Sequence, residues 1–288
     1  MAILLHRPEV HELGQALAAL RDWQDDHAGM QLHPGDLGWF WRFGPESTAA
    51  AVRTWSRDGD ILAVGLLDGP GLLRMTIAPG ARRDEALARQ ITADVADADR
   101  GVLPPGKAYI EAPSTAVLQD VLAADGWDTD EPWTPLRRDF AEPVEDPGVR
   151  IEIVGPEFVA DRVDLQVAAF EGSTFNAERW HAMAAGPAYA DARCLVAYDD
   201  RDNAVATVTV WSAGPGRPGL IEPLGAHHDF RGHGHGRAIT VAGAAALRDM
   251  GSSSAIVCTP TSNAAGVGAY KSAGFRPLPE VRDRRRDA

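Results

Sequence analysis

The sequence is poor in cysteine, in cationic side chains and in long apolar runs. It holds two cysteines in 288 residues, Cys194 and Cys258, and no CxxC pair. That excludes a disulfide framework and a thiolate zinc site, and it suits a reducing compartment. Lysine and arginine together number 28 against 41 aspartates and glutamates, a net charge of −13. Such a balance argues against a general nucleic-acid binder and against a surface drawn to anionic lipid, and weakly favours cationic partners. No stretch approaches the roughly 18 apolar residues of a membrane span. The apolar patch at residues 2–5 turns charged too soon to be the core of a signal peptide. The expectation is a cytoplasmic protein with neither nucleic acid nor membrane as partner. Its 45% of hydrophobic residues suffices for a sizeable core.

Apolar spacing gives an ordered series of elements. Val10, Leu13, Leu17, Leu20 and Trp23 share one face of a helix over 10–23. Residues 33–36 read as a turn before an aromatic-rich strand at 37–43, whose Trp39-Phe40-Trp41 run reads mainly as core. Strands follow at 50–55, 61–67 and 71–77, then a helix at 84–98, a strand at 108–112, a helix at 115–124 and a closing strand at 133–140. Residues 141–149, acidic and broken by Pro143 and Pro147, read as a linker. The order then restarts. A strand at 150–154 leads to helices at 157–170 and 177–185, strands at 193–198, 204–211 and 219–224, a helix at 236–250, a strand at 255–259 and a helix at 264–273. The charged tail at 282–288 reads as an edge strand or as frayed, and the last strand of the second series must come from 278–286 or from the partner domain. Leu122-Ala123-Ala124-Asp125-Gly126-Trp127 near the end of the first series resembles Tyr270-Lys271-Ser272-Ala273-Gly274-Phe275 near the end of the second. The chain therefore reads as a duplicated α/β unit, with domains at 1–140 and 150–288.

The segment richest in chemistry is Arg231-Gly232-His233-Gly234-His235-Gly236-Arg237, between a strand and a helix. Alternating glycines let a ligand approach the backbone closely, and free N–H groups at a helix start bind anions with help from the helix dipole. A diphosphate suits such a loop. It is not a Walker loop, which ends in Gly-Lys-Ser/Thr, nor a G-x-G-x-x-G dinucleotide fingerprint, because Arg237 and Ile239 stand where the third glycine is needed. The surviving pattern is Arg-x-x-Gly-x-Gly at Arg231, Gly234 and Gly236. It is followed by a strand over 256–259, Asn263, Tyr270 and Gly274-Phe275. Asn263 and Tyr270 are two helical turns apart and share a face.

Over residues 219–275 these motifs resemble the GCN5-related N-acetyltransferase (GNAT) superfamily. The resemblance implies a mixed, mostly antiparallel sheet flanked by helices in each of two tandem GNAT-like domains, with a splay between central strands of the second. It implies acetyl-CoA as co-substrate, with no metal, and direct attack by a primary amine, expected on a small molecule. It assigns cofactor binding to Leu224, Gly225, Arg231, Gly232, His233, Gly234, His235, Gly236, Arg237 and Asn263. Tyr270 becomes the candidate acid and Glu222 the candidate base. Asn263 also reads as a helix N-cap, which is compatible with holding the pantetheine arm. Pro223 beside Glu222 removes a ladder N–H and suggests a bulge. A packing tyrosine and an edge carboxylate are the plainer readings of Tyr270 and Glu222. His227 or His228 could relay a proton, while Asp229 suits a turn.

The first series lacks the loop. Ala78-Pro79-Gly80-Ala81-Arg82-Arg83 has no G-x-G, Asp84 and Glu85 would repel a diphosphate, and Thr115 and Leu122 stand where the asparagine and tyrosine would be. It resembles a degenerate copy. Two other readings stay open: a non-catalytic acyl-CoA-binding or sensing protein, and a metal-binding module built on the four clustered histidines. A monomer and a homodimer are equally compatible.

Overall fold

A computed structural model describes residues 2–287; Met1 and Ala288, the outer ends of the two expected domains, lie outside the described residues. The first half runs β1 (Leu4–His6), α1 (Leu13–Asp22), α2 (Pro34–Phe40), α3 (Pro45–Ala51), β2 (Val52–Arg57), β3 (Asp60–Leu67), β4 (Leu72–Ile77), α4 (Glu85–Ala96), β5 (Ala108–Glu111), α5 (Leu118–Ala124) and β6 (Asp128–Asp139). The second runs β7 (Arg150–Ile153), α6 (Val159–Ala169), α7 (Ala177–Ala184), β8 (Ala192–Tyr198), β9 (Ala204–Trp211), β10 (Gly219–Ala226), α8 (His235–Asp249), β11 (Ser254–Pro260), α9 (Ala264–Ser272), β12 (Arg276–Pro277) and β13 (Val281–Arg286). Local chemistry sets many boundaries. Asp58 and Gly59 both have positive φ (55° and 92°), the left-handed pair that closes a tight hairpin between β2 and β3. Asp84 and Asn263 cap α4 and α9 through their side chains.

All strands join one mixed sheet in the order β1-β2-β3-β4-β5-β13-β6-β11-β10-β9-β8-β7, with β12 also beside β6. Among the described residues only β4/β5 and β10/β11 are parallel. The two halves exchange their closing strands. β6 of the first half pairs with β11 over seven residues, from Ser254↔Asp139 to Pro260↔Trp133. β13, the chain's end, pairs with β5 and with β6. The tail is thus neither an edge strand nor frayed: it lies at the middle of the sheet. Its arginines fit there because each finds acceptors at the strand's flanks. Arg284 donates to Gln119 Oε1 (2.9 Å) and Trp127 O (3.3 Å), and Arg286 to Gly106 O (3.0 Å) and Pro104 O (2.7 Å).

The expected strand at 37–43 is instead helix α2 followed by a 3₁₀ turn. His33 caps α2, its ring accepting from Gly35 N while Asp36 accepts from His33 N, and Pro34 occupies the first turn. Gly35 and Gly38 lie flat on the Trp211 indole, so closely that a Cβ at either would overlap it. This close approach draws α2 of the first half onto β9 and β10 of the second. Trp39 stacks on Phe175 (5.3 Å between centroids) and Trp41 is buried in the core. A shared core of Leu13, Leu20, Leu37, Leu165, Met183 and Trp211 joins the halves on this side, and separate cores underlie α4/α5 and α8/α9. Among the described residues no helix is long and apolar enough to cross a membrane.

Candidate active site

The parallel strands β10 and β11 pair only at Gly219↔Ala255 and Leu220↔Ile256. Beyond that point β10 continues to Ala226 on β9 and β11 to Pro260 on β6 without pairing with each other, which opens the expected splay. The cause is local. The register of β10 on β9 slips by one residue between Ile221 and Leu224, at Glu222-Pro223, where proline has no N–H to give. The bulged Glu222 carbonyl accepts from Trp211 Nε1 (2.6 Å).

A cavity of about 480 Å³ lies between the halves at this splay. Leu224, Cys258, Asn263 and Tyr270 line it from one side and Asp68, Arg74 and Glu111 from the other, with Glu222 and Asp283 also on its wall. Arg74 is its electrostatic centre. Its Nη1 lies 2.9 Å from Asp36 Oδ1, 3.4 Å from Asp68 Oδ2 and 3.7 Å from Glu222 Oε1, and its Nε donates to Glu111 Oε2 at 2.8 Å. Burial opposes the Arg74 charge, but Asp36, then Glu111, Glu222 and Asp68 overcome it and hold its pKa well above the ordinary value. Four carboxylates cannot be neutralised by one guanidinium. Burial foremost, and then Glu222 and Glu111 against the opposing Arg74, push Asp36 well above its usual range. Burial also raises Glu222; Arg74 opposes this, and Asp68 and Glu111 add to it. About a third of the Glu222 side chain (32%) remains reachable through the cavity. A carboxylate that is deep, raised and still accessible is a better proton acceptor than an exposed one.

Tyr270 is buried, its ring 6.0 Å from that of Phe275. Burial foremost, then the charges of Glu222 and Cys258, hold its phenol above the ordinary value, so it stays protonated. Burial pushes the Cys258 thiol up to about 12, which leaves it a poor nucleophile. Asn263 fulfils its capping role: Oδ1 accepts from Gly266 N (3.0 Å) and Nδ2 donates to Thr259 Oγ1 (3.0 Å).

The glycine loop sits at the start of α8. Gly232 and Gly234 have φ of 83° and 87°, and the space where their side chains would project is open. The backbone N–H groups from Gly232 to Arg237 have no acceptor among the described residues, and α8 lacks a side-chain cap. His233 and His235 stack at 6.1 Å and are not fully buried. The two arginines turn aside: Arg231 Nη2 donates to Ala169 O (3.1 Å), and Arg237 to Ser272 O (3.0 Å) and Glu145 Oε1 (3.1 Å). Gly225 is needed for packing, since a Cβ there would overlap Ala169 and Phe170.

Tyr270, Glu222, Leu224 and Asn263 are thus brought to one cavity, while Gly225 and residues 231–237 lie outside its lining. His227, His228 and Asp229 could offer a metal three ligand atoms within 4.8 Å of one another. Two of their nitrogens are already engaged, His227 Nδ1 with Asp229 N (3.2 Å) and His228 Nδ1 with Ala168 O (2.8 Å), and none of the three lines the cavity. Sequence reasoning missed the first half's share: Asp36, Asp68, Arg74 and Glu111, and with them Asp283. A signal existed in Leu72-Leu73-Arg74-Met75-Thr76-Ile77, where one arginine interrupts an apolar strand.

Residues 162–275 match the model of the acetyltransferase (GNAT) family. No curated protein matches the chain by sequence. Among solved structures it is similar to a GCN5-related N-acetyltransferase from Sphaerobacter thermophilus (17% identity, TM-score 0.61, covering 99% of this chain and 95% of that one). It is also similar to a GNAT-family acetyltransferase from Colwellia psychrerythraea (13%, 0.63, 99% of each chain). A third likeness is to a tandem GNAT protein from the clavulanic acid biosynthesis pathway (15%, 0.58, 99% and 98%). At these identities the structural likenesses establish the fold, and it extends over both halves. The half that carries the loop and the splay thus holds the segment, residues 162–275, that matches the GNAT family, within a chain that shares its fold from end to end with GNAT structures.

Proposed function

We propose that this protein is an acyl-CoA-dependent N-acyltransferase that moves an acetyl group from acetyl-CoA to a primary amine of a small molecule. The observation that carries the reading is the run of six free N–H groups at residues 232–237, at the start of the helix beside the β10/β11 splay. Backbone donors converging at a helix start suit the diphosphate of coenzyme A, and the splay offers its pantetheine arm a path to Asn263 and Tyr270. Bound there, acetyl-CoA supplies the activated acyl group.

The chain's own groups would do the rest. Glu222 accepts a proton from the substrate ammonium, directly or through water. The freed nitrogen attacks the thioester carbonyl, the carbon–sulfur bond breaks, and Tyr270 gives its proton to the departing sulfur. The attacking nitrogen gives up its second proton to solvent as the amide forms, and the proton held by Glu222 returns through solvent to the tyrosinate, so ammonium and thioester become amide, thiol and one released proton. The inert Cys258 thiol favours this direct route over an acyl-cysteine. In this reading residues 150–288 carry the cofactor and the chemistry, residues 1–140 close the acceptor side, and 141–149 link them.

Titration calorimetry with acetyl-CoA tests the loop. Gly234→Val should weaken binding by at least roughly tenfold, because a branched side chain resists φ of 87° and fills the space above the N–H groups. Unchanged affinity in a variant with an unchanged melting temperature would remove the loop assignment. Thiol release over a panel of amines tests turnover. Tyr270→Phe should lower kcat by roughly one to two orders of magnitude, with acetyl-CoA affinity nearly intact. Equal losses in both would make Tyr270 a packing residue. Binding of acetyl-CoA without thiol release from any amine would mark a non-catalytic binder.

A further inference from the structure

Part of the cavity wall is built across β4, β5 and β13. Arg74 on β4 stands opposite Glu111 on β5. The antiparallel ladder of β13 on β5 runs through Arg286↔Ala108, Arg285↔Tyr109 and Arg284↔Ile110, and one further step sets Asp283 opposite Glu111. Like charges directly opposed across strands are unfavourable. No cation among the described residues relieves this pair fully. Arg74 is shared among four carboxylates. Asp283's neighbours turn away, Arg282 to Asp130 O (2.7 Å) and Arg284 to Gln119 and Trp127. Glu111 uses one oxygen on Arg74, while its Oε1 is buried without a hydrogen-bond partner. Burial, then the charge of Glu111, lift Asp283 to about 7 against the opposing Arg74, with Asp130 adding to the rise.

We propose that Glu111 and Asp283 hold the second ammonium group of an acceptor bearing two or more amines, a di- or polyamine, while its reacting amine faces Glu222. This deepens the acyltransferase reading and rests on it. The opposite assignment, an amino acid whose carboxylate is held by Arg74, lacks a free cation, because that guanidinium is already surrounded. A second ammonium turns an unfavourable pair of carboxyl groups into a charge-assisted clamp. Asp283 reaches the clamp through the exchanged strand, so the end of the chain contributes to acceptor choice.

The test compares 1,4-diaminobutane, butylamine and 4-aminobutanoate as acceptors in the full-length protein, by thiol release, with calorimetric titration of the diamine into protein saturated with coenzyme A. The expected result is a kcat/KM for the diamine at least roughly tenfold above the monoamine, the loss that one missing charged hydrogen bond brings. Glu111→Gln and Asp283→Asn should each shrink that ratio several-fold, mainly through KM for the diamine, and should weaken diamine binding. Equal use of diamine and monoamine, a preference for 4-aminobutanoate, or a ratio untouched by both substitutions in folded variants overturns the proposal. Diamine binding that both substitutions weaken, without any thiol release, would uphold the clamp and defeat the acyltransferase reading. Brisk turnover of all three amines alike would do the reverse.

Discussion

Glu222→Gln should lower kcat for amine acylation by roughly two to three orders of magnitude while acetyl-CoA affinity stays within about twofold, the pattern of a lost general base. Glutamine keeps the shape of the side chain and the carbonyl that meets Trp211 Nε1, so the β10 bulge should survive. What is lost is the site that takes the proton. The pH profile makes the assignment sharper. A base works only when ionised, and burial, with Asp68 and Glu111 against the opposing Arg74, raises Glu222 above its ordinary value of 4.5. Activity of the native enzyme should therefore fall as pH drops through that raised pKa, giving an acid limb at higher pH than a solvent-exposed glutamate would show. The limb should vanish in the glutamine variant. A limb that persists in Glu222→Gln, or a kcat loss under about threefold, would move the base elsewhere, with His227 or His228 the next to examine.

Removing the last strand should have a larger structural effect. A chain ending at Glu280 lacks β13, and the sheet order leaves β5 and β6 separated by the width of a strand. Both then expose backbone donors and acceptors at what had been the sheet's interior, each costly unless it finds water or a partner. Arg286, whose guanidinium lies 5.0 Å from the centre of the Trp127 ring, goes too, along with Asp283 on the cavity wall. The expected outcome is aggregated or unfolded protein without a cooperative melt, and no acetyl-CoA binding. A truncated chain that elutes as a compact monomer and melts cooperatively would show that β13 only decorates a sheet that the remaining strands can close. Arg284→Ala is the milder probe, predicted to lower the melting temperature by a few degrees through the lost contacts to Gln119 and Trp127.

The two halves were legible to different degrees. β9 is expected at 204–211 and found at those residues, and the helix after the glycine loop, the strand at β11 and the Asn263-capped helix all fall within a residue or two of expectation. Each has strong local punctuation: alternating apolar residues, glycines with positive φ, or a capping asparagine. α2 was misread because Leu37, Trp39 and Phe40 favour strands locally, whereas His33, Pro34 and Asp36 jointly start a helix and two glycines seat it on Trp211. That seat is formed by a residue far along the chain, so local pattern could not reveal it. Of residues 170–189 only Phe170 joins the cavity lining, and the first half supplies much of the opposing wall.

By itself, the sequence determined the order of most elements, the glycine loop and the pair Asn263 and Tyr270, because spacing of a few residues along one strand, turn or helix fixes which groups share a face. Only the tertiary structure decided that the closing strands are exchanged, that the polar tail lies mid-sheet, and that Arg74 gathers Asp36, Asp68, Glu111 and Glu222 around one cavity. Those pairings join residues far apart along the chain. They depend on which strand edge a late segment finds and on how burial changes a charge, and neither is written in the local order of residues.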